Sequence, residues 1–237
     1  MGFLFTAKES LKMIFRRPPN IVRSFDYDQY WKDKRKSGLG SLNSFQLARA
    51  DWVKGRLLPG SSLLDVGSGD GGVLMHITKS VKLGRTIAAD VSEYALTHLK
   101  SQGFDTVTFN INDPQAITQI PAVDYITLLE VLEHLPDPET LLAQLEKKAS
   151  KSIFFSFPNT GYFAYRLRLL FGRFPVQWRL QPGEHLRFWT YRDLKWWLDQ
   201  LGYAQRATIY TYEGLPFLNR LCPSWFAMGF VVELKIN

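Results

Sequence analysis

Residues 63–74 have the sequence LLDVGSGDGGVL, an apolar run that passes directly into a glycine-rich loop. The apolar half is typical of a buried strand, and Gly67, Gly69 and Gly72 form the pattern G-x-G-x-x-G, which joins a strand to a helix. Ligands of such units bind at the carboxyl ends of the strands. The run therefore predicts an α/β fold whose functional site lies at the loop after the first strand.

Strand and helix signals alternate along most of the chain around this loop. Short apolar or β-branched runs predict strands at residues 62–66, 85–90, 106–110, 123–129, 152–157, 203–211 and 226–236. Amphipathic segments between them predict helices that end at Lys54, Lys79, Gln102, Ala149 and Leu201. The predicted fold class is therefore α/β, with a seven-stranded, mostly parallel sheet, helices on both faces and an antiparallel last strand.

The composition is that of a folded domain. Of 237 residues, 46% are hydrophobic and 22% are charged, and no run approaches the roughly 20 apolar residues that span a bilayer. Residues 1–17 lack the apolar centre and cleavage site of a secretory signal, and the single cysteine, Cys222, excludes an internal disulfide. We therefore expect a cytoplasmic protein. Its net charge of +7 favours acidic partners, namely nucleic acid, an anionic membrane surface or a phosphorylated substrate.

Three acidic residues near the ends of the first two strands argue against a phosphate ligand. Asp65 lies two residues before Gly67, and Asp70 lies at the helix N-terminus, where a phosphate would otherwise bind. Asp90 ends the second strand, where a carboxylate accepts hydrogen bonds from both hydroxyls of a ribose. S-adenosylmethionine, a ribose-bearing cation without phosphates, suits all three acids. For Asp70 itself, we expect stabilisation of the helix start through the helix dipole.

The motifs DVGSGDG at residues 65–71, Asp90 and EVLEHLPDPE at residues 130–139 resemble those of the class I S-adenosylmethionine-dependent methyltransferases, which have a Rossmann-like fold. The resemblance covers residues 43–158 by motif. It implies that the glycines let the cofactor approach the backbone, that Asp90 binds the ribose, and that Asp113 is the better match for the adenine contact. The cofactor-binding residues that it implies are Asp65, Gly67, Ser68, Gly69, Asp90, Val91, Asn112, Asp113 and Glu130.

The second half of the chain resembles two narrower groups within that superfamily. Residues 156–175 are similar to the corresponding stretch of the MetW-type methyltransferase-like proteins of methionine biosynthesis. His185, followed by FWT at residues 188–190, is similar to the ubiquinone O-methyltransferases. The segment DQYWKDKRK at residues 28–36 is not part of the compact MetW pattern, which indicates a substrate outside the methionine pathway.

Glu130, Glu133 and His134 follow the fourth strand at a spacing that puts all three on one face of a helix. Together with His185 they form a set of two carboxylates and two imidazoles, which suits a divalent metal that polarises a substrate hydroxyl. This pattern resembles the metal site of small-RNA 2′-O-methyltransferases and of some ubiquinone O-methyltransferases. Without a metal, His134 is a general base or a positioning residue, with Glu130 and His185 as further catalytic candidates. Both interpretations remain open.

Residues 1–42 are predicted to be a basic, amphipathic extension of a methyltransferase domain at residues 43–237. Apolar residues recur at helical spacing in the first 17 residues. The basic residues of this predicted helix are Lys8, Lys12, Arg16 and Arg17. One alternative is that this helix packs on the domain. The other is that it binds peripherally to the anionic inner surface of a membrane.

Residues 159–189 are too long for an idle connection in a compact domain and predict a lid insertion. Aromatic residues are interleaved there with arginines, which are Arg166, Arg168, Arg173, Arg179 and Arg187. For most of these arginines we expect a packing role. The functional alternative is a lid that offers arginines to an anionic group of the substrate. Because no recognised nucleic-acid motif is present, nucleic acid is not the expected partner.

Three functions from different classes follow from these patterns. The first is an S-adenosylmethionine-dependent methyltransferase that O-methylates a small, sugar- or lipid-linked anionic acceptor by direct in-line transfer. An oxygen atom is favoured as the methyl acceptor, because the chain has no Asp/Asn-Pro-Pro-Tyr motif for the methylation of amino groups and no nucleophilic cysteine in the predicted core. The alternatives are a MetW-like, non-catalytic partner of an acyltransferase in methionine biosynthesis and an RNA methyltransferase.

Overall fold

A seven-stranded sheet forms the centre of the molecule. The computed structural model describes residues 3–16, 26–34, 38–113, 115–175 and 185–236. The strands are β1 (Ser62–Val66), β2 (Arg85–Asp90), β3 (Asp105–Thr108), β4 (Val123–Leu129), β5 (Ala149–Pro158), β6 (Ala207–Gly214) and β7 (Ala227–Lys235). Their spatial order is β3-β2-β1-β4-β5-β7-β6, and only β7 runs antiparallel to its two neighbours. The predicted fold class is thereby confirmed.

Helices lie on both faces of this sheet. They are α1 (Phe3–Phe15), α2 (Tyr27–Lys34), α3 (Ser44–Lys54), α4 (Gly72–Ser80), α5 (Glu93–Ser101), α6 (Pro138–Glu146), α7 (Phe163–Leu170), α8 (Tyr191–Gln200), α9 (Leu218–Leu221) and α10 (Pro223–Phe226). Alternate side chains of each strand enter two separate cores: Leu64 packs with residues of α6 and α8, and Leu63 packs with residues of α3, α4 and α5. Among the described residues, no helix has the length and apolar character needed to cross a bilayer.

Several element boundaries differ from the sequence predictions by a few residues, and two of these differences have a clear physical reason. The sixth strand begins at Ala207 rather than at residue 203, because backbone groups before it are used in turns. The amide of Tyr203 donates to the Leu198 carbonyl at the end of α8, and the amide of Ala207 donates to the Tyr203 carbonyl, both at 2.8 Å. Helix α6 ends at Glu146 because Ala149, the predicted helix end, pairs with Val123 in the sheet.

The N-terminal extension touches the domain in two places. Helix α1 packs on α7, where the Ser10 hydroxyl lies 2.6 Å from that of Tyr162 and Ile14 is buried. Arg168 of α7 donates to the carbonyls of Met13 and Ile14 at the end of α1. Helix α2 contacts α5. One face of α1 therefore packs on the domain, as the packing interpretation predicts, while the predicted basic residue at position 17 lies outside the described residues.

The ends of the insertion at residues 159–189 meet in a short parallel bridge between Asn159 and Trp189. Within it, Arg166 donates to backbone oxygens of Gly161 and Ser224, and Arg187 donates to Glu139 at 2.7 Å. Like Arg168, these two arginines hold the insertion in place, as expected for most of the arginines in this segment. Arg173 is exposed, and position 179 lies outside the described residues.

Candidate functional site

The glycine loop after β1 is fastened to the end of β2. The amides of Gly67 and Ser68 donate to the Ala89 carbonyl at 2.8 and 3.2 Å, and the amide of Gly69 donates to Oδ2 of Asp90 at 2.8 Å. The structure thus brings the loop and the predicted ribose acid together at the carboxyl edge of the sheet, as the sequence predicts.

The loop requires glycine at positions 67 and 69, beside the end of β1. Gly67 has φ +72°, and a Cβ there would lie 2.7 Å from Cγ2 of Val131. Gly69 has φ +52°, and a Cβ there would lie 2.5 Å from the ring of Trp31. Gly72, the third glycine of the sequence pattern, instead begins α4 next to the left-handed cap residue Gly71. At these positions the loop backbone carries no side chain, and Val131 and Trp31 pack directly against it.

The three acids of this edge have different environments. Asp90 also accepts from the Ser92 amide at 2.9 Å, and burial raises the pKa of its carboxyl group although these hydrogen bonds oppose the shift. Asp65 accepts from the Thr127 hydroxyl at 2.6 Å, and burial raises its pKa to about 7. Asp70 accepts from the amides of Gly40 and Gly72, which is the structural role expected at a helix start.

The residues predicted to contact adenine lie beside Asp90. Val91 is exposed, and the Phe109 amide donates to the Asp90 carbonyl at 2.9 Å, which brings the turn after β3 to this point. Asn112 and Asp113 are exposed in that turn. They line a cleft of about 130 Å³ with Phe109, Ile111, Leu135 and Leu141. An exposed apolar side chain and an open cleft at this edge fit a planar base.

Glu130, directly after β4, has a strained backbone conformation and belongs to a polar network. Its φ is +59°, a value that L-residues rarely adopt and that is typical of functional sites. Its Oε1 accepts hydrogen bonds from the hydroxyls of Ser156 and Tyr212, both at 3.0 Å. Nη1 of Arg49 donates to the Tyr212 hydroxyl at 3.1 Å and lies 3.6 Å from Oε1 of Glu130. Among the described residues, Oε2 of Glu130 has no hydrogen-bond partner.

Burial and charge act in opposite directions within this network. Burial lowers the pKa of Arg49, but attraction to Glu130 and Tyr212 outweighs it and leaves that pKa raised. Burial and the adjacent Glu130 raise the pKa of Tyr212 well above its ordinary value, so its hydroxyl stays protonated and donates. Sequence reasoning missed Arg49, Ser156 and Tyr212. The one available signal was a charged residue, Arg49, on a helix otherwise expected to pack on the sheet.

Glu133, His134 and His185 form a second cluster, with ligand atoms within 4.8 Å of one another. The rings of His134 and His185 meet edge to face with centroids 4.8 Å apart, and Glu133 is fully buried. The expectation of one shared helix face with Glu130 is wrong. Only Leu132–His134 form a 3₁₀ turn, and the left-handed Glu130 before it directs its carboxylate to Ser156 and Tyr212. Glu130 is therefore not in this cluster.

Comparison with known proteins agrees with this geometry. A family model described as a methyltransferase domain matches residues 42–207. The ubiquinone biosynthesis O-methyltransferase of Azoarcus sp. (strain BH72) is 30% identical over 62% of this chain and 66% of its own length. That of Stutzerimonas stutzeri is 28% identical over 78% of this chain and 83% of its own length. The chain thus spans about two thirds of the length of the first of these relatives.

Solved structures with the same fold cover nearly the whole chain. A SAM-dependent methyltransferase from Archaeoglobus fulgidus matches with a TM-score of 0.56 and 17% identity, over 88% of this chain and 100% of that one. Magnesium protoporphyrin IX methyltransferase from Synechocystis PCC 6803 with bound SAH matches with a TM-score of 0.58 and 16% identity, over 89% of this chain and 96% of that one. At such identities these likenesses show the fold alone. With the family match, the fold and the loop–Asp90 arrangement, the chain belongs to the class I S-adenosylmethionine-dependent methyltransferases.

Proposed function

We propose that this protein transfers the methyl group of S-adenosylmethionine to a hydroxyl group of an amphiphilic, anionic acceptor at a membrane surface. The observation that carries the proposal is the cluster of Glu133, His134 and His185. Two of its members lie in the turn that follows β4, at the carboxyl edge of the sheet. Proton-accepting imidazoles beside the expected methyl group suit an oxygen acceptor. The names of the ubiquinone biosynthesis O-methyltransferases support the same reaction class.

The loop and its acids fit the cofactor. Gly67 and Gly69 carry no side chain where the cofactor is expected to approach the backbone, and in this structure Val131 and Trp31 pack against these two positions. Two amides orient the Asp90 carboxylate and leave it capacity to accept from the ribose hydroxyls. The bound cofactor supplies an electrophilic methyl group on a sulfonium, and the Glu130 carboxylate provides negative charge for its cationic end. That cation would in turn favour the ionised form of the buried Asp65, whose pKa burial raises to about 7. These residues bind and orient; they form no covalent intermediate.

His134 is the proposed general base. His134 would take the proton of the acceptor hydroxyl as that oxygen accepts the methyl group, for which the bound cofactor would supply a neutral thioether as the leaving group. His185 lies edge to face against His134, and its Nε2 is 4.0 Å from Oε1 of the buried Glu133. This carboxylate is close enough to orient the His185 ring against the proposed base.

The same three side chains fit a divalent metal ion. One carboxylate and two imidazoles are a common donor set for such ions, and their ligand atoms are close enough to converge on one position. With a metal held there, His134 would be a ligand and not the base, and the ion would polarise the acceptor hydroxyl. Glu130 is not part of this proposed donor set, because Ser156 and Tyr212 engage its carboxylate.

An exposed apolar surface on α1 and α7 fits a membrane. We call Leu11, Phe15, Leu170 and Phe171 the α1–α7 patch; Phe15 is 69% and Leu170 76% exposed, and the rings of Phe15 and Phe171 are 6.0 Å apart. Exposed basic residues border this patch, namely Lys8, Lys12, Arg16 and Arg173. Apolar side chains bordered by cations are typical of proteins that lie on anionic bilayers. A lipid-linked acceptor would be presented at that surface.

The proposal is tested with radiolabelled S-adenosylmethionine and bacterial cell extract separated into lipid, aqueous small-molecule and RNA fractions. We expect label in the lipid fraction, and a loss of at least tenfold for His134→Ala, with His98→Ala on the α5 surface as the matched control. Label in RNA alone would contradict the lipid-linked acceptor. Full activity of His134→Ala would contradict the proposed base.

A further inference from the structure

Helix α2 lies on the glycine loop through Trp31. A Cβ placed on Gly69 would lie 2.5 Å from Cζ2 and 2.7 Å from Cη2 of this indole, so the ring covers the bare backbone of the loop. The neighbouring Tyr30 packs edge to face on the same ring, with centroids 4.8 Å apart. An aromatic ring therefore lies against one of the loop positions that have no side chain of their own.

The same helix is held on the other side of the site by Asp28. Its Oδ1 accepts from the Ser92 hydroxyl at 2.5 Å and from the Tyr94 amide at 3.2 Å, at the N-terminus of α5. These hydrogen bonds lower the pKa of Asp28, which is ionised at neutral pH and suits the positive end of a helix. Asp28 and Trp31 are three residues apart and so lie on one face of α2.

The two contacts of α2 fall on the two residues that orient Asp90. Gly69 and Ser92 are the residues whose amides donate to the two oxygens of that carboxylate. The Trp31 indole covers Gly69, and the Asp28 carboxylate accepts a hydrogen bond from the Ser92 hydroxyl. Asp90 is only 7% exposed in this arrangement. Because α2 contacts both of these residues, we expect its movement to open access to the Asp90 oxygens.

We propose that Trp31 forms the outer wall of the nucleoside site and that α2 is a strap, opening to admit the nucleoside and closing over it with Asp28 as its latch. The inference rests on the proposed role of Asp90 in binding ribose. The indole offers a flat, apolar face to the ribose and the methionyl chain beside it and excludes water from the reacting methyl group. Trp31 is thus a binding residue, and Asp28 is a positioning residue.

Titration with S-adenosylhomocysteine, followed by calorimetry and by tryptophan fluorescence, tests this assignment. We expect Trp31→Ala to weaken binding at least fivefold. Trp31→Phe keeps an aromatic wall, so it should retain most of the affinity but lose the fluorescence change that the nucleoside causes. Trp196→Phe is the matched control, because Trp196 is an exposed tryptophan of α8, and it should keep both signals.

Asp28→Asn tests the latch through the rate of dissociation. This variant keeps the shape of the side chain but loses its charge, so we expect faster release of S-adenosylhomocysteine. Unchanged affinity of Trp31→Ala, with binding by the unmodified protein intact and weakened by Asp90→Ala, would overturn the strap alone. Absence of binding by the unmodified protein would instead overturn the proposed function. Circular dichroism of each variant verifies that it is folded.

Discussion

The guanidinium of Arg49 and the carboxylate of Glu130 form a largely buried ion pair, with Nη1 3.6 Å from Oε1. Arg49 is on α3, before the first strand, and Glu130 directly follows the fourth strand. The Tyr212 hydroxyl bridges the two groups. The pair holds a residue with a strained backbone beside the predicted methyl group, so its removal is expected to disturb both stability and the site.

Replacement of Arg49 should destabilise the protein more than loss of the bridging hydroxyl. Arg49→Met leaves the Glu130 carboxylate without its charge partner, and we expect the free energy of unfolding to fall by about 2–4 kcal/mol. Tyr212→Phe loses hydrogen bonds but no charge, at a cost of about 1 kcal/mol. Urea unfolding measures both. The double variant Arg49→Met/Glu130→Gln should cost less than the sum of the two single changes; full additivity would contradict the pairing.

Asp65 should make stability fall as pH rises. Because its pKa is raised to about 7 by burial, the native state keeps a proton that the unfolded chain loses near the ordinary value of 3.8. The penalty from this residue therefore grows between about pH 4 and 7 and is constant above that. Asp65→Asn removes it, so thermal melts at pH 5 to 8 should show the variant gaining relative stability with pH. A pH-independent difference would contradict the raised pKa.

The proposed metal site should lose its ion when one ligand is replaced. We expect the purified protein to bind a divalent metal in a calorimetric titration, and Glu133→Gln to weaken that binding at least tenfold. Glu139→Gln is the control, because Glu139 lies in the next helix and contacts Arg187 and Trp197 instead. If excess chelator leaves methyl transfer unchanged and no metal binds, His134 acts without an ion.

The α1–α7 patch should bind anionic vesicles. Four exposed basic residues, each contributing about 1 kcal/mol near such a surface, give reversible binding. We expect the protein to sediment with phosphatidylglycerol vesicles at low salt, much less with phosphatidylcholine vesicles, and not in high salt. Deletion of residues 1–17 should abolish this binding.

A double substitution distinguishes membrane binding through the apolar α1–α7 patch from binding through charge alone. Phe15→Ser/Leu170→Ser removes exposed apolar side chains and keeps the charge, and we expect weaker sedimentation with anionic vesicles. Leu58→Ser is the control, because Leu58 is exposed before β1, at the other edge of the sheet. Equal binding by the double variant would assign the contact to charge and not to the patch.

The residues of this site that could be predicted from sequence are those that belong to a local strand–loop–helix motif. Gly67, Gly69 and Asp90 lie in two strand–loop–helix units, so their type and spacing indicate both fold and position. Family membership and the seven-stranded sheet were predictable for the same reason. The roles of these residues in binding remain predictions.

The missed part consists of contacts between residues far apart in the chain. Arg49 and Tyr212 are brought together only by the packing of α3 on β6, and nothing in either local sequence indicates this contact. Trp31 was visible as an aromatic residue in a charged segment, but its place over Gly69 depends on how α2 packs on α5. The helix geometry assumed for Glu130 failed because the left-handed conformation at that residue is set by its tertiary hydrogen bonds.

Calorimetric titration of S-adenosylhomocysteine into the unmodified protein, Asp90→Ala and the control Asp105→Ala tests the central claim most directly. Asp105 is an exposed carboxylate on the neighbouring strand, paired with Arg85. Each hydrogen bond from a ribose hydroxyl to a carboxylate is worth on the order of 1.5–3 kcal/mol, so Asp90→Ala should weaken binding at least tenfold while Asp105→Ala does not. Equal affinity of a folded Asp90→Ala variant, or no binding by the unmodified protein, would contradict the assignment of this edge as the S-adenosylmethionine site.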